Sequence, residues 1–209
     1  MNPTSPKLHT ATFMMGVTGA GKNTQIKILL QKYPDMFGDC ISTKTRDLRP
    51  GEQDWVDFHK FSIKEFLQKI KENYFLEWMQ DAETLQYYGT SMASIHKTLQ
   101  HQHVIKELEP IGFKQLLDRS PDFSFRGIFI DVPDAVIAQR AHERGGMDEV
   151  ELPKRLVKSQ QERKLITELL AQNASISVLN GNRSIVTVTK QIEDLLMAFP
   201  DNRAKYNRE

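Results

Sequence analysis

The sequence predicts an α/β fold: a mainly parallel sheet with helices on both faces, and a smaller subdomain inserted into it. Three observations carry that expectation. Short apolar runs alternate with segments of helical period along most of the chain, as βαβ units require. A glycine-rich turn, Gly16 to Gly21, separates the first apolar run from the first helical segment. The stretch from about Ser42 to Thr90 breaks the alternation and reads as an insertion. With 209 residues the chain is long enough for one domain with a real core.

Taken in order, residues 1–9 are polar, contain Pro3 and Pro6, and read as a flexible leader. Thr10 to Met15 is a strand entering the glycine turn. Asn23 to Tyr33 places Ile26, Leu29 and Leu30 at helical spacing, and Pro34 ends it. Asp39 to Thr45 is extended, and Arg46 to Gln53, with Pro50 and Gly51, is a loop. Ile63 to Asn73 is amphipathic through Phe66, Leu67 and Ile70. Phe75 to Met79 and Gln86 to Thr90 are strands or loop edges, and Ser91 to Gln100 a helix. His103 to Leu108 and Gly127 to Val132 are buried strands flanking a helix over Ile111 to Asp118. Ala135 to Arg144 and Pro153 to Ala171 are helical, Ile176 to Leu179 is the last strand, and Val186 to Ala198 the last helix. Residues 10–41 and 91–200 then form the core, 42–90 the inserted subdomain, and 201–209 a polar tail.

Composition narrows the function class. A net charge of +1, from 28 basic and 27 acidic residues, lacks the basic excess of a dedicated nucleic-acid binder. Cys40 is the single cysteine, so no internal disulfide and no cysteine-rich zinc pattern is expected. No apolar run approaches the roughly 18 residues of a membrane helix, and the N-terminus lacks the apolar centre of a secretory signal. The expectation is a soluble, cytoplasmic protein without nucleic-acid or membrane partners, a monomer or homodimer. His101 and His103 lack accompanying cysteines or acids, and read as a surface strand start rather than a metal site.

The segment Gly16-Val17-Thr18-Gly19-Ala20-Gly21-Lys22-Asn23-Thr24 matches G-x-x-x-x-G-K, the phosphate-binding P-loop. Glycines permit backbone turns that side chains block, and successive N–H groups then converge on phosphate oxygens. The helix that follows adds its positive end. Lys22 can bridge the outer phosphates of a nucleotide and follow the charge that develops in transfer. One position departs: the residue after the lysine is normally Ser or Thr, whose hydroxyl ligates magnesium, and here it is Asn23.

Downstream, Ser42-Thr43-Lys44-Thr45-Arg46-Asp47-Leu48-Arg49-Pro50-Gly51-Glu52 resembles S-x-x-T-R-x-x-R-x-G-E, the signature of the guanylate kinase family of P-loop nucleoside monophosphate kinases. Two guanidinium groups beside a turn suit bidentate capture of a monophosphate. The resemblance implies that Arg46 and Arg49 bind the acceptor phosphate, with Ser42 and Glu52 in the same site. Phe75-Leu76-Glu77-Trp78 is similar to the family's F-x-E stretch, which assigns Glu77 to the N1–H and amino group of guanine. A carboxylate offers two acceptors to those two donors. Tyr87-Tyr88-Gly89-Thr90 resembles Y-Y-G-[ST], which puts Tyr88 on the acceptor phosphate and Thr90 on the base. Phe58 stands where the family has a phosphate-binding tyrosine, and Gln53-Asp54-Trp55-Val56 lacks the usual glycine. The family's D-x-D appears as Glu107-Leu108-Glu109, implying Glu107 near GMP and Glu109, with Asn23, near the metal.

Arg140-Ala141-His142-Glu143-Arg144-Gly145-Gly146 and the later Arg155 resemble the family's lid, residues 140–158 here. The resemblance implies that Arg140, Arg144 and Arg155 reach the transferring phosphoryl group, whose spread charge suits arginine. Asn180, after the last strand, would lie near the adenine of ATP. Together these features imply transfer from ATP to GMP, giving ADP and GDP, with Mg2+ as the cofactor of ATP and the two nucleotides as partners. Three alternatives stand beside this reading. One is a kinase for another (deoxy)nucleoside monophosphate. Another is a guanylate-kinase-like binding module with weak catalysis. The third is a P-loop kinase for a non-nucleotide phosphorylated metabolite such as ribose bisphosphate, a class that lacks the acceptor segment.

Overall fold

An almost unbroken apolar run belongs in the middle of a sheet, because it has no polar face to give to water. In the computed structural model, which describes residues 10–56, 58–119, 125–143 and 151–198, that run is β1 (Ala11–Gly16), with all six residues buried. The expected leader 1–9, the tail 201–209, and Arg144 with its two glycines lie outside the described residues.

β1 is the central strand of a five-stranded parallel sheet, in the order β2 (Phe37–Gly38), β7 (His103–Glu107), β1, β8 (Phe125–Asp131), β9 (Ile176–Asn180). Helices α1 (Lys22–Lys32), α3 (Met92–Leu99), α4 (Pro110–Arg119), α5 (Asp134–Glu143), α6 (Glu151–Ala171) and α7 (Ile185–Met197) accompany this sheet in the chain. The core runs through β1, β7 and β8, where Phe13 meets Phe113 and Phe125 edge-on at 6.3 and 6.1 Å. After β1 the chain departs through α1 to the sheet edge, and returns beside β1 only with β7. The carboxyl ends of β1 and β7 thus flank a point where the strand order reverses, and open α/β sheets bind ligands there. Met14 pairs with Glu107 across these strands, which brings the end of β7 to the glycine loop.

A second, four-stranded sheet is built from the segment that interrupted the alternation. Its order is β4 (Phe58–Lys60), β3 (Ser42–Lys44), β6 (Tyr87–Ser91), β5 (Phe75–Gln80). β5 and β6 pair antiparallel, as does β3 with β6, while β3 and β4 run parallel. α2 (Ile63–Lys71) starts on a capping box in which Ser62 and Glu65 satisfy each other's backbone N–H groups. Phe66 buries itself in the subdomain's own core, stacked on Phe75 at 4.2 Å.

The sequence places most of these elements within two residues of their ends. It misses β2 and β4, which have two and three residues and no period to read. α6 begins at Glu151, two residues before the expected Pro153, because proline is tolerated in a helix's first turn. His103 corrects a second expectation: it is buried and accepts a hydrogen bond from the Thr10 amide at 3.1 Å, so it is not a surface residue. No helix of the described residues is long and apolar enough to cross a membrane.

Candidate active site

β1 ends at Gly16, packed tightly against Ile130 of β8. A Cβ on Gly16 would stand 2.4 Å from the Ile130 carbonyl oxygen, so this position accepts only glycine. The loop then turns back, and Gly21 caps α1 at φ +90°, in the left-handed region. Val17 and Ala20 are buried and do not line the cleft beside the loop; the Ala20 N–H closes the turn on the Val17 carbonyl at 3.1 Å. No acidic residue occupies the first turn of α1, which leaves its positive end uncompensated. Lys22 folds over the loop, donating to the Gly16 carbonyl at 2.8 Å and lying 3.4 Å from a Glu107 oxygen.

The loop lines a cleft of about 300 Å3 through Gly16, Thr18, Gly19, Gly21, Lys22, Asn23 and Thr24. Its opposite wall is acidic and basic at once: Glu107 and Glu109 from the end of β7, Lys158 and Glu162 from α6. Lys158 binds Glu109 at 2.6 Å. Glu162 is different, because its Oε2 is buried without a hydrogen-bond partner. Burial pushes its carboxyl up to about 7, against the pull of Lys158 and Lys22. Asn23, Glu107 and Glu109 supply oxygen donors suited to a hard cation. Among the described residues no group of three or more histidine, cysteine or acidic side chains could hold a metal alone.

A second, larger cleft of about 840 Å3 opens between the two sheets. Ser42, Glu77, Tyr88, Thr90 and Glu107 all line it, bringing together residues from four strands. Glu77 is 5% exposed and sits opposite Thr90 in the β5–β6 register. Burial raises its carboxyl above the ordinary carboxylate range, and hydrogen bonds from the Thr90 hydroxyl and N–H oppose that rise. Asn23, Glu107, Leu108 and Glu109 line both clefts, so the two are contiguous across the end of β7.

Arg46, Arg49 and Glu52 lie on the loop after β3 and do not line this cleft. Glu52 grips Arg46 with two hydrogen bonds of 2.7 Å and also accepts from the Arg49 amide at 2.8 Å. The Arg46 contact, then the Arg49 amide, hold the Glu52 carboxyl down at about 2. Phe58 is fully buried, with the Arg46 guanidinium 4.7 Å above its ring; it supports that arginine from beneath and does not face the cleft.

The lid residues are less gathered. Arg140 spends its fork on backbone, donating to the Gly19 carbonyl at 2.9 Å and the Gly181 carbonyl at 3.0 Å. It braces the loop against the turn after β9. Arg155 lies 3.9 Å from Glu151 on its own helix and does not line either cleft; Lys158, one turn on, does. Asn180 accepts from the Asn182 amide at 2.8 Å and lines a separate depression with Asp131 and Arg163. Arg144 is outside the described residues.

Several cleft residues escape the sequence reading, among them Lys44, Lys106, Lys158 and Glu162. For Lys106 a signal exists, since a lysine inside an apolar strand run is rarely buried unless paired. Lys44 shares the alternating face of β3 with Ser42. Lys158 and Glu162 are four apart on one face of α6, but that helix is rich in charge and its pattern does not single them out.

Comparison with known proteins places these features in context. The family model for guanylate kinase matches residues 9–196. A guanylate kinase of Latilactobacillus sakei is 32% identical over 185 residues, covering 88% of this chain and 86% of the relative. One from Clostridium perfringens is 34% identical over 186 residues, covering 88% and 80%. Among solved structures, the guanylate kinase of Anaplasma phagocytophilum superposes with a TM-score of 0.65 at 17% identity, covering 92% of this chain and 86% of that one, a likeness of fold.

Proposed function

The chain belongs to the guanylate kinase family, and from that premise we propose that it transfers the γ-phosphoryl group of ATP to GMP, giving ADP and GDP. The observation that carries this reading is the shared wall: a phosphate-type cleft and a nucleotide-sized cleft meet at Asn23, Glu107, Leu108 and Glu109. A donor phosphate on the glycine loop and an acceptor in the second cleft would face each other there. Phosphoryl transfer needs little more from a protein than such alignment and a place for the charge to spread.

In this reading Lys22 exchanges the Gly16 carbonyl and Glu107 for the donor's outer phosphates. The loop amides and the end of α1 hold the rest of the triphosphate. Arg46 and Arg49, which lie beside the second cleft and would have to turn toward it, are assigned with Tyr88 to the acceptor phosphate; Glu52 holds the first in its plane. Glu77 and Thr90 read the base. A magnesium ion accompanying ATP would be held near Asn23 and Glu109 and would neutralise phosphate charge. Arg140, Arg144 and Arg155 are assigned to the lid that shields the phosphates from water. A cytoplasmic location fits nucleotide substrates and a single, reduced cysteine.

A panel of purified nucleoside monophosphates tests this reading, with ADP formation from ATP followed at millimolar Mg2+. GMP should be the fastest acceptor. No ADP from ATP and GMP would overturn the kinase assignment, and tight GMP binding without turnover would instead identify a binding module. A Glu77→Gln enzyme should lose its preference for GMP.

A further inference from the structure

Among the described residues, Lys106 is a charged residue buried along the nucleotide-sized cleft without a role in the reading above. It sits on β7, 6% exposed, in a strand whose neighbours Val104 and Ile105 are fully buried. Taking a cation out of water costs several kcal/mol unless its donors are well matched. Here two of them are: the ammonium donates to the Cys40 carbonyl at 2.6 Å and to the Ser42 hydroxyl oxygen at 2.8 Å. Asp39 stands further off, at 3.8 Å.

The second bond has a consequence for Ser42. An ammonium group is donor-only, so the serine oxygen must accept from it. The positive charge turns the hydroxyl hydrogen away from Lys106, and Ser42 lines the cleft. Ser42 therefore offers a ligand a donor. Across the cleft the polarity is opposite. Glu77 stands opposite Thr90 in the β5–β6 register, and its carboxylate oxygens accept. Gly112 leaves room for the Glu77 carboxylate, since a Cβ there would stand 3.1 Å from its Oε2.

We propose that Lys106 is a positioning residue that fixes the Ser42 hydroxyl as a donor, and so makes the cleft select an acceptor base carrying a carbonyl beside a ring N–H, a 6-oxopurine. A 6-aminopurine reverses both groups: it brings a donor to Ser42 and a ring acceptor to Glu77. The selection then comes from two places, with Ser42 reading the 6-substituent and Glu77 the N–H groups. The proposal rests on the second cleft being the acceptor site.

Steady-state kinetics with GMP, IMP and AMP separates these contributions, because IMP keeps the carbonyl and lacks the 2-amino group. The enzymes are wild type, Lys106→Met, Ser42→Ala and the double variant, each checked for folding by thermal melting. Lys106→Met should raise KM for GMP and IMP alike by about 10- to 100-fold, the usual worth of a charge-supported hydrogen bond, with kcat and the KM for ATP little changed. The GMP-to-AMP ratio should narrow by the same factor. Ser42→Ala should reproduce this, and the double variant should be no worse than either single one. An equal loss for all three acceptors in Lys106→Met would mean a merely structural tie and would overturn the proposal. So would unchanged selectivity in Ser42→Ala, which decides the matter even if Lys106→Met does not fold. A wild-type enzyme that prefers AMP to GMP would instead remove the acceptor reading itself, and the proposal with it.

Discussion

Replacing Glu162 by glutamine removes a carboxyl that burial holds at about 7 rather than its ordinary 4.5. Below the lower value the group is protonated in folded and unfolded chains alike, and it contributes no difference. Above the higher value it is ionised in both, and only the folded chain bears the cost of sheltering that charge. At ~1.4 kcal/mol per pH unit between the two values, the cost is about 3 kcal/mol. A raised carboxyl thus gives stability that is complete at acid pH and is lost as pH rises through 4.5 to about 7. The unpartnered Oε2 has the same origin, since a protonated carboxyl needs less solvation than a charged one. Urea unfolding of wild type and Glu162→Gln, without nucleotide, from about pH 4.5 to about pH 8 measures the difference. The variant should gain on the wild type across that range by about 2–3 kcal/mol. A gap that stays constant with pH would refute the reasoning, because a glutamine differing only in packing cannot follow a titration.

Gly16→Ala should destabilise the protein by at least about 3 kcal/mol, since its methyl meets Ile130 backbone, which cannot move aside without breaking the sheet; a melting temperature equal to wild type would contradict the close approach. Asn23→Ser restores the hydroxyl that usually follows a P-loop lysine. If Asn23 is a poor magnesium ligand, the variant should turn over several-fold faster and saturate at lower Mg2+, read from initial rates across a magnesium titration; identical curves would place the metal away from this position.

The parts of this molecule that were legible in the sequence are those governed by local rules. β1, the glycine turn and α1 follow from an apolar run, from backbone freedom and from a 3.6-residue period, all within about twenty residues. Ser42, Glu77, Tyr88 and Thr90 were legible through motif spacing, and the fold brings them to one cleft. Phe58 illustrates the limit. Its position in a motif suggested contact with the ligand, but its lost hydroxyl makes it an apolar ring, and the ring is buried beneath Arg46. Lys158 and Glu162 were invisible because their importance depends on how α6 lies against the glycine loop, a tertiary relation that no window of sequence contains. Arg155 and Lys158 make the point sharply: both are basic, three residues apart, and only the packing of α6 decides which faces the cleft.

β7 is where the two halves of the proposed reaction become one structure. Strand residues alternate sides, so neighbours on one short strand can serve two ligands. Lys106 ties the strand to Cys40 and Ser42 at the entrance of the second sheet, while Glu107 stands beside Lys22 of the glycine loop. Just past the strand, Glu109 holds Lys158 from α6. Each of these charges is held by a group of opposite sign or by an acceptor on another element. An arriving triphosphate would compete with Glu107 for Lys22 and with Glu109 for Lys158, releasing both carboxylates toward the cation that accompanies it. The longer arms of glutamate let each carboxylate reach a lysine here, and would let it turn toward a cation that a nucleotide brought with it. Shortening them tests whether both positions matter. Glu107→Asp and Glu109→Asp should each weaken the lysine contact first, seen as a lower melting temperature without nucleotide. If the glutamate arm also serves the filled site, the magnesium concentration for half-maximal rate should rise in the same variants. A variant that shifts the melting temperature and leaves the magnesium dependence untouched would confine that glutamate to its lysine contact.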